Sequence, residues 1–166
     1  MATCMRASRL SLLVLSLMVA PIVARADTSC ADVMEAGVRE VQTPHHMHML
    51  KGGAESGESV YDGKAIYVRV NGKWRKSAAD PADMLATARE QRAKPDAACT
   101  RVASETIDGQ SAVRWHIAPD ADSEAEPSDV WIGADGLPIH QRVTSEGVVR
   151  DVRIDYHDVA TPSPAG

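Results

Sequence analysis

The sequence predicts an α+β domain: a large, curved antiparallel β-sheet covered by an N-terminal helix and a central helix. Three observations carry this. Five X-Gly pairs recur at short spacing, Asp62-Gly63, Asn71-Gly72, Asp108-Gly109, Asp135-Gly136 and Glu146-Gly147. Such pairs tolerate the positive φ of tight hairpin turns, which makes their flanking strands antiparallel neighbours. Between the turns apolar and polar residues alternate, as in Val113, Trp115 and Ile117 against Arg114 and His116. Alternation means one buried face and one wet face. Two segments of helical spacing are available to cover the buried one.

The first of these starts near Ser29, read as an N-cap with Asp32 as its capping-box partner. Cys30, Val33, Met34, Gly37, Val38 and Val41 form one apolar stripe, and Thr43-Pro44 ends the helix, giving a span of about 30 to 42. His45 to Leu50 reads as a strand and Lys51 to Gly57 as a Gly-rich link. Short strands are expected over Glu58 to Asp62, Ala65 to Val70 and Lys73 to Ser77. The central helix follows: Asp80 caps it, Pro81 suits its first turn, Asp83 favours the positive helix end, and Lys94-Pro95 stops it. Met84, Leu85 and Ala88 make its modest apolar stripe. Strands resume over Thr100 to Ile107, Gln110 to Ala118, Val130 to Ile132, Leu137 to Ser145 and Val148 to Val159.

The ends of the chain read differently. Arg6 and Arg9, the apolar run Leu10 to Val23 and Ala24-Arg25-Ala26 have the layout of a secretory signal peptide, so residues 1–26 are expected to be removed. The apolar run is shorter than the ~20 residues a membrane-spanning helix needs. One domain over 27–160 and a Pro-rich disordered tail over 161–166 remain. The expected product is soluble, not membrane-spanning, and periplasmic or secreted. Loss of the leader removes three arginines and takes the formal charge from -5 to -8. An acidic chain without a basic stripe argues against nucleic-acid partners. Cys4 leaves with the leader, and the two cysteines left, Cys30 and Cys99, are expected to form a disulfide. It would close a loop of about 70 residues and contribute roughly 2–4 kcal/mol.

Three local patterns carry a family resemblance. They are Tyr67-x-x-Val70-Asn-Gly-Lys-Trp74, Val130-Trp-Ile-Gly-Ala-Asp-Gly-Leu-Pro138 and Ile154-Asp-Tyr-His-Asp-Val159. With the element order, they make residues of about 30 to 160 resemble the superfamily of periplasmic lipoprotein carriers and their relatives, the LolA/LolB/LppX-like group. The resemblance implies an open half-barrel with a helical insertion in its concavity, and an apolar surface for an acyl chain or a lipidated partner. The chain departs from the carrier pattern in having no Phe and in being short.

Candidate site residues follow from chemistry. Tyr67, Trp74, Trp115 and Trp131 sit in alternating strands, where they either pack the core or line a ligand groove. Met84 and Leu85 would be the groove's movable lid or ordinary helix contacts. A second constellation is His45, His46, Met47, His48 and Met49. His and Met are copper ligands and His alone suits zinc, but on a strand His46 and His48 face one way and His45, Met47 and Met49 the other. A third ligand would come from elsewhere, with His116, His140 and His157 as candidates; the plain alternative is a half-buried strand. The acids between Ala118 and Asp129 lack the glycine of a calcium loop and read as a solvated surface. No nucleophile elbow, HExxH, P-loop or dinucleotide fingerprint occurs, so neither catalysis nor a cofactor is expected. Three functions follow: a module holding an apolar or acyl ligand or a lipoprotein segment; a periplasmic copper or zinc binder; or an envelope structural or sensing protein acting through protein contacts.

Overall fold

The computed structural model describes residues 30–94, 97–121 and 123–163. The expected leader and cleavage site lie outside these residues, as do Ser29 and the last three residues of the tail. Helix α1 spans Ala31–Gln42, and its N-cap position is Cys30, which makes no side-chain cap hydrogen bond. Strands β1 (His45–Lys51), β2 (Ala54–Tyr61), β3 (Ile66–Val70) and β4 (Lys73–Lys76) follow. Helix α2 spans Pro81–Ala93, with the Asp80 carboxylate accepting from the Ala82 N–H and Pro81 in its first turn. Strands β5 (Ala97–Ile107), β6 (Gln110–Pro119), β7 (Ser128–Gly133), β8 (Pro138–Ser145) and β9 (Val148–Asp155) complete the order.

All nine strands form one antiparallel sheet in the order β4-β3-β2-β1-β9-β8-β7-β6-β5. The first four strands meander outward from β1. The α2 segment then carries the chain to the opposite edge, and β5 to β9 meander back until β9 pairs with β1. The sheet is not closed, so it is a curved, open half-barrel with β4 and β5 at its edges.

One strand boundary corrects the sequence reading. Lys51 to Gly57 is not a link: Gly52 and Gly53 alone make the turn, at φ +58° and +84°, and β2 is already paired from Ala54. Gly57 broke the expected alternation for a packing reason. A Cβ there would lie 3.0 Å from the Met49 methyl, so the strand keeps a glycine where a neighbouring side chain crosses it.

Helix α1 lies directly on the sheet. Val33 and Ala36 pack with Cys30, Cys99, Trp115, Val130 and Ile132 in the main core. The Cys30–Cys99 disulfide bonds the start of the helix to β5, with the two Cα atoms 4.9 Å apart. The second helix is placed differently. No residue of α2 is buried, and Met84 of its expected stripe is 43% exposed. It rests against α1 as an outer layer, joined by the Arg92–Glu35 ion pair at 2.7 Å. Beyond β9 the chain is still tied to the body, since the Thr161 hydroxyl donates to the Asp62 carboxylate at 2.8 Å. Among the described residues no helix is long and apolar enough to cross a membrane.

Candidate functional site

Alternation gives the sheet two distinct faces. Facing the helices are His45, Met47, Ser59, Tyr61 and Ile66 from β1–β3, and Trp115, Val130 and Ile132 from β6–β7. The other face, free of helices among the described residues, carries His46, His48, Glu58, Arg69, Arg114, Trp131 and His140.

On the helix-bearing face the space is divided by α1. A groove of about 590 Å³ runs between α1 and α2, lined by Val33, Met34, Val41, Met84 and Ala88 and also by the polar Glu40, Asp80, Asp83, Thr87 and Gln91. Beneath the start of α2 lies a smaller apolar pocket of about 90 Å³, walled by Val41, Met47, Tyr61, Ile66 and Met84. A third space of about 240 Å³ shares Met34, Glu40 and Gln91 with the groove and runs down to Ile117, Val130 and Pro138 on the sheet. Met84 thus borders the groove and the pocket below it, and Glu40 borders both long spaces.

The electrostatics of this face are those of an apolar cleft with a few enclosed polar groups. Burial pushes the Glu40 carboxyl up to about 7. The Gln141 side-chain amide donates to it at 3.4 Å. Burial also raises the Tyr156 phenol, with the nearby acids Glu40 and Asp135 adding to the effect. The phenol donates to the Pro138 carbonyl at 2.8 Å. His45 is lowered by burial, against the opposing pull of the Thr43 and Glu40 carbonyls, and its ring lies between those of Tyr61 and Tyr156. At neutral pH the His45 ring and the Tyr156 phenol are uncharged, while the Glu40 carboxyl is close to half ionised.

The residues singled out in the sequence fall in different places. Met84 lines the groove, and Leu85 is half-buried on the same helix without lining it. Trp115 is a core residue beneath α1, 3% exposed. Tyr67 and Trp74 lie on the helix-free face, the Trp74 ring 6.1 Å from that of His46. Trp131 is on that face too. It stacks on His140 with ring centres 4.6 Å apart, lies under Arg114 and Arg142, each 5.8 Å from its ring centre, and donates its indole N–H to Glu105 at 2.9 Å. The groove residues Val33, Met34, Gly37 and Val41 were legible as the apolar stripe of the first helix, whereas Glu40 lay outside that stripe, and nothing in the sequence assigned this side to α2 rather than to the sheet.

The His/Met segment divides as the strand period requires. His46 and His48 are side by side, ring centres 4.3 Å apart, while His45 and Met47 turn to the helices. Met49 likewise points away from the histidine pair, over Gly57. The group that joins the pair is Glu58 of β2, in register with His48. His116 and His140 are held elsewhere by Asp129 and Asp151, and His157 by Asp155.

Comparison with known proteins places the architecture. No protein-family model matches the sequence, and no curated protein does. Among solved structures the chain is similar to the Mycobacterium tuberculosis lipoprotein LppX, at 13% identity and a TM-score of 0.50, over 80% of this chain and 97% of that one. It is also similar to LprF from Mycobacterium bovis (13% identity, TM-score 0.48, 84% and 99% of the two chains). A further similarity is to the MucA/MucB complex of Pseudomonas aeruginosa (15%, 0.47, 81% and 59%). The fold is therefore the LppX-like half-barrel that the turn and strand patterns implied. Likeness at this identity defines the architecture and leaves the ligand to be argued from the cleft itself.

Proposed function

We propose that this chain is an exported binding module that holds an apolar ligand, an acyl chain or the lipidated segment of a lipoprotein, between α1, α2 and the sheet. The observation that supports it is the groove of about 590 Å³ between the helices, with a mainly apolar lining and an outer wall that has no buried residue. Its volume falls in the range of small-molecule sites, and its outer wall is a helix that packs on α1 without a buried residue of its own. Displacing Met84 would join the groove to the apolar pocket below it. Burying ~300 Å² of an acyl chain there yields several kcal/mol at ~25 cal/mol/Å², before association costs.

The test is displacement of a fluorescent fatty-acid analogue by palmitate and by a synthetic lipopeptide. Saturable one-to-one binding is expected, weakened at least tenfold by Met84→Arg and preserved in Met84→Leu. Absence of saturable binding with both ligand types, or equal binding by Met84→Arg, would overturn the assignment.

A further inference from the structure

We propose that His46, His48 and Glu58 form a site for one divalent transition-metal ion, zinc or copper(II), on the helix-free face of the sheet. The argument is independent of the apolar groove, which lies on the opposite face.

The three donors come from two adjacent strands. His46 and His48, two apart on β1, project to one side, and register places Glu58 of β2 directly across from His48. One ligand atom from each lies within 4.8 Å of the others. A tetrahedral ion with bonds of about 2.0–2.2 Å spaces its ligands roughly 3.4 Å apart, so modest side-chain rotation brings the set to bonding geometry. The His46 Nε2 and Glu58 Oε1 meet directly in a 2.7 Å hydrogen bond, which an ion would replace as the two atoms move apart to the ligand spacing. Two imidazoles and one carboxylate make the three-ligand set of open zinc sites and also suit copper(II). Because Met47 and Met49 turn away, the soft thioethers that would select copper(I) are not in the set.

The surroundings are built as a metal site requires. Glu58 is only 8% exposed, and its second oxygen accepts from the Arg69 guanidinium at 2.8 Å, which fixes the carboxylate's orientation. The strand bearing the two histidines is flanked by β2 and β9, so the donors stand on rigid backbone rather than on a loop. Beside His48 opens a space of about 240 Å³ lined also by Arg153, Asp155 and His157. Asp155 is in register with His46 across β9 and is itself held by His157 at 2.9 Å. A water or this carboxylate can complete the fourth position. An Arg69–Glu58–His46 ion-pair chain alone would account for Glu58 but not for the His48 ring, which packs beside His46 and makes no side-chain hydrogen bond among the described residues.

The test is calorimetric titration of the untagged protein with zinc chloride and with copper(II) chloride. One ion per chain is expected, with affinity reduced at least tenfold by His46→Ala and by His48→Ala and unchanged by His116→Ala. Arg69→Ala is expected to weaken it 10- to 100-fold through the loosened carboxylate. Copper(II) should quench tryptophan emission through Trp74, and Trp74→Phe should remove most of the quenching while leaving the heat of binding. His48→Ala removes no hydrogen bond, so it reports on binding even where Glu58→Gln fails to fold. No heat with either ion, or unchanged affinity in both histidine variants, overturns the site.

Discussion

Glu40 offers the sharpest test of how this interior is organised. Its carboxyl titrates at about 7 in the folded chain because burial between α1 and the sheet disfavours its charge, against an ordinary value of 4.5. Between those two values the folded chain keeps a proton that the unfolded chain has released, so stability falls as pH rises from about 4.5 to 7. The full difference corresponds to roughly 3 kcal/mol, and partial exposure of this half-buried side chain reduces that to about 1–2 kcal/mol. Glu40→Gln is a neutral isostere able to keep the contact with Gln141. It should match the parent near pH 4.5 and exceed its stability by about 1–2 kcal/mol at pH 8. His45 acts in the opposite sense, since its lowered value makes folding more favourable as pH rises through about 6.5. The measurement must therefore be the difference between parent and variant, by urea denaturation at several pH values. Parallel stability curves, or a variant less stable than the parent at pH 8, would refute the reasoning.

Two further outcomes follow from the same packing. Reducing the Cys30–Cys99 bond releases a loop closed over 69 residues and should cost about 2–4 kcal/mol, read as a drop in the denaturation midpoint with dithiothreitol that Cys30→Ala plus Cys99→Ala reproduces. Trp115→Ala empties the contact between α1 and the sheet and should cost about 3–5 kcal/mol, whereas a loss below about 1 kcal/mol would show that the core lies elsewhere.

The hairpin turns carried most of the fold. Asn71 and Gly72 adopt φ +53° and +75°, the left-handed pair a two-residue turn demands, and that chemistry is local enough to read from the dipeptide. The Gly52-Gly53 turn was hidden because Gly57 lies four residues on, and a strand glycine chosen to clear the Met49 side chain looks like loop sequence. The site was less legible because burial of a face is a property of neighbours. Trp115 and Trp131 have the same alternating surroundings in sequence, yet one packs under α1 and the other is enclosed by His140 and two arginines on the far side. The pairing of Glu58 with the two histidines depends on the β1–β2 register, which the misplaced start of β2 concealed.

The strand order also constrains how the chain can assemble. The first strand finds one of its two partners only at Val148–Asp155, about a hundred residues later, so the halves β1–β4 and β5–β8 remain separate sheets until the C-terminal ribbon arrives. Non-local closure of this kind slows folding and leaves β1 with a bare, hydrogen-bond-hungry edge in the meantime. A chain cut after Glu146 would keep every helix and the disulfide, yet present that edge permanently and be prone to pairing with its own copies.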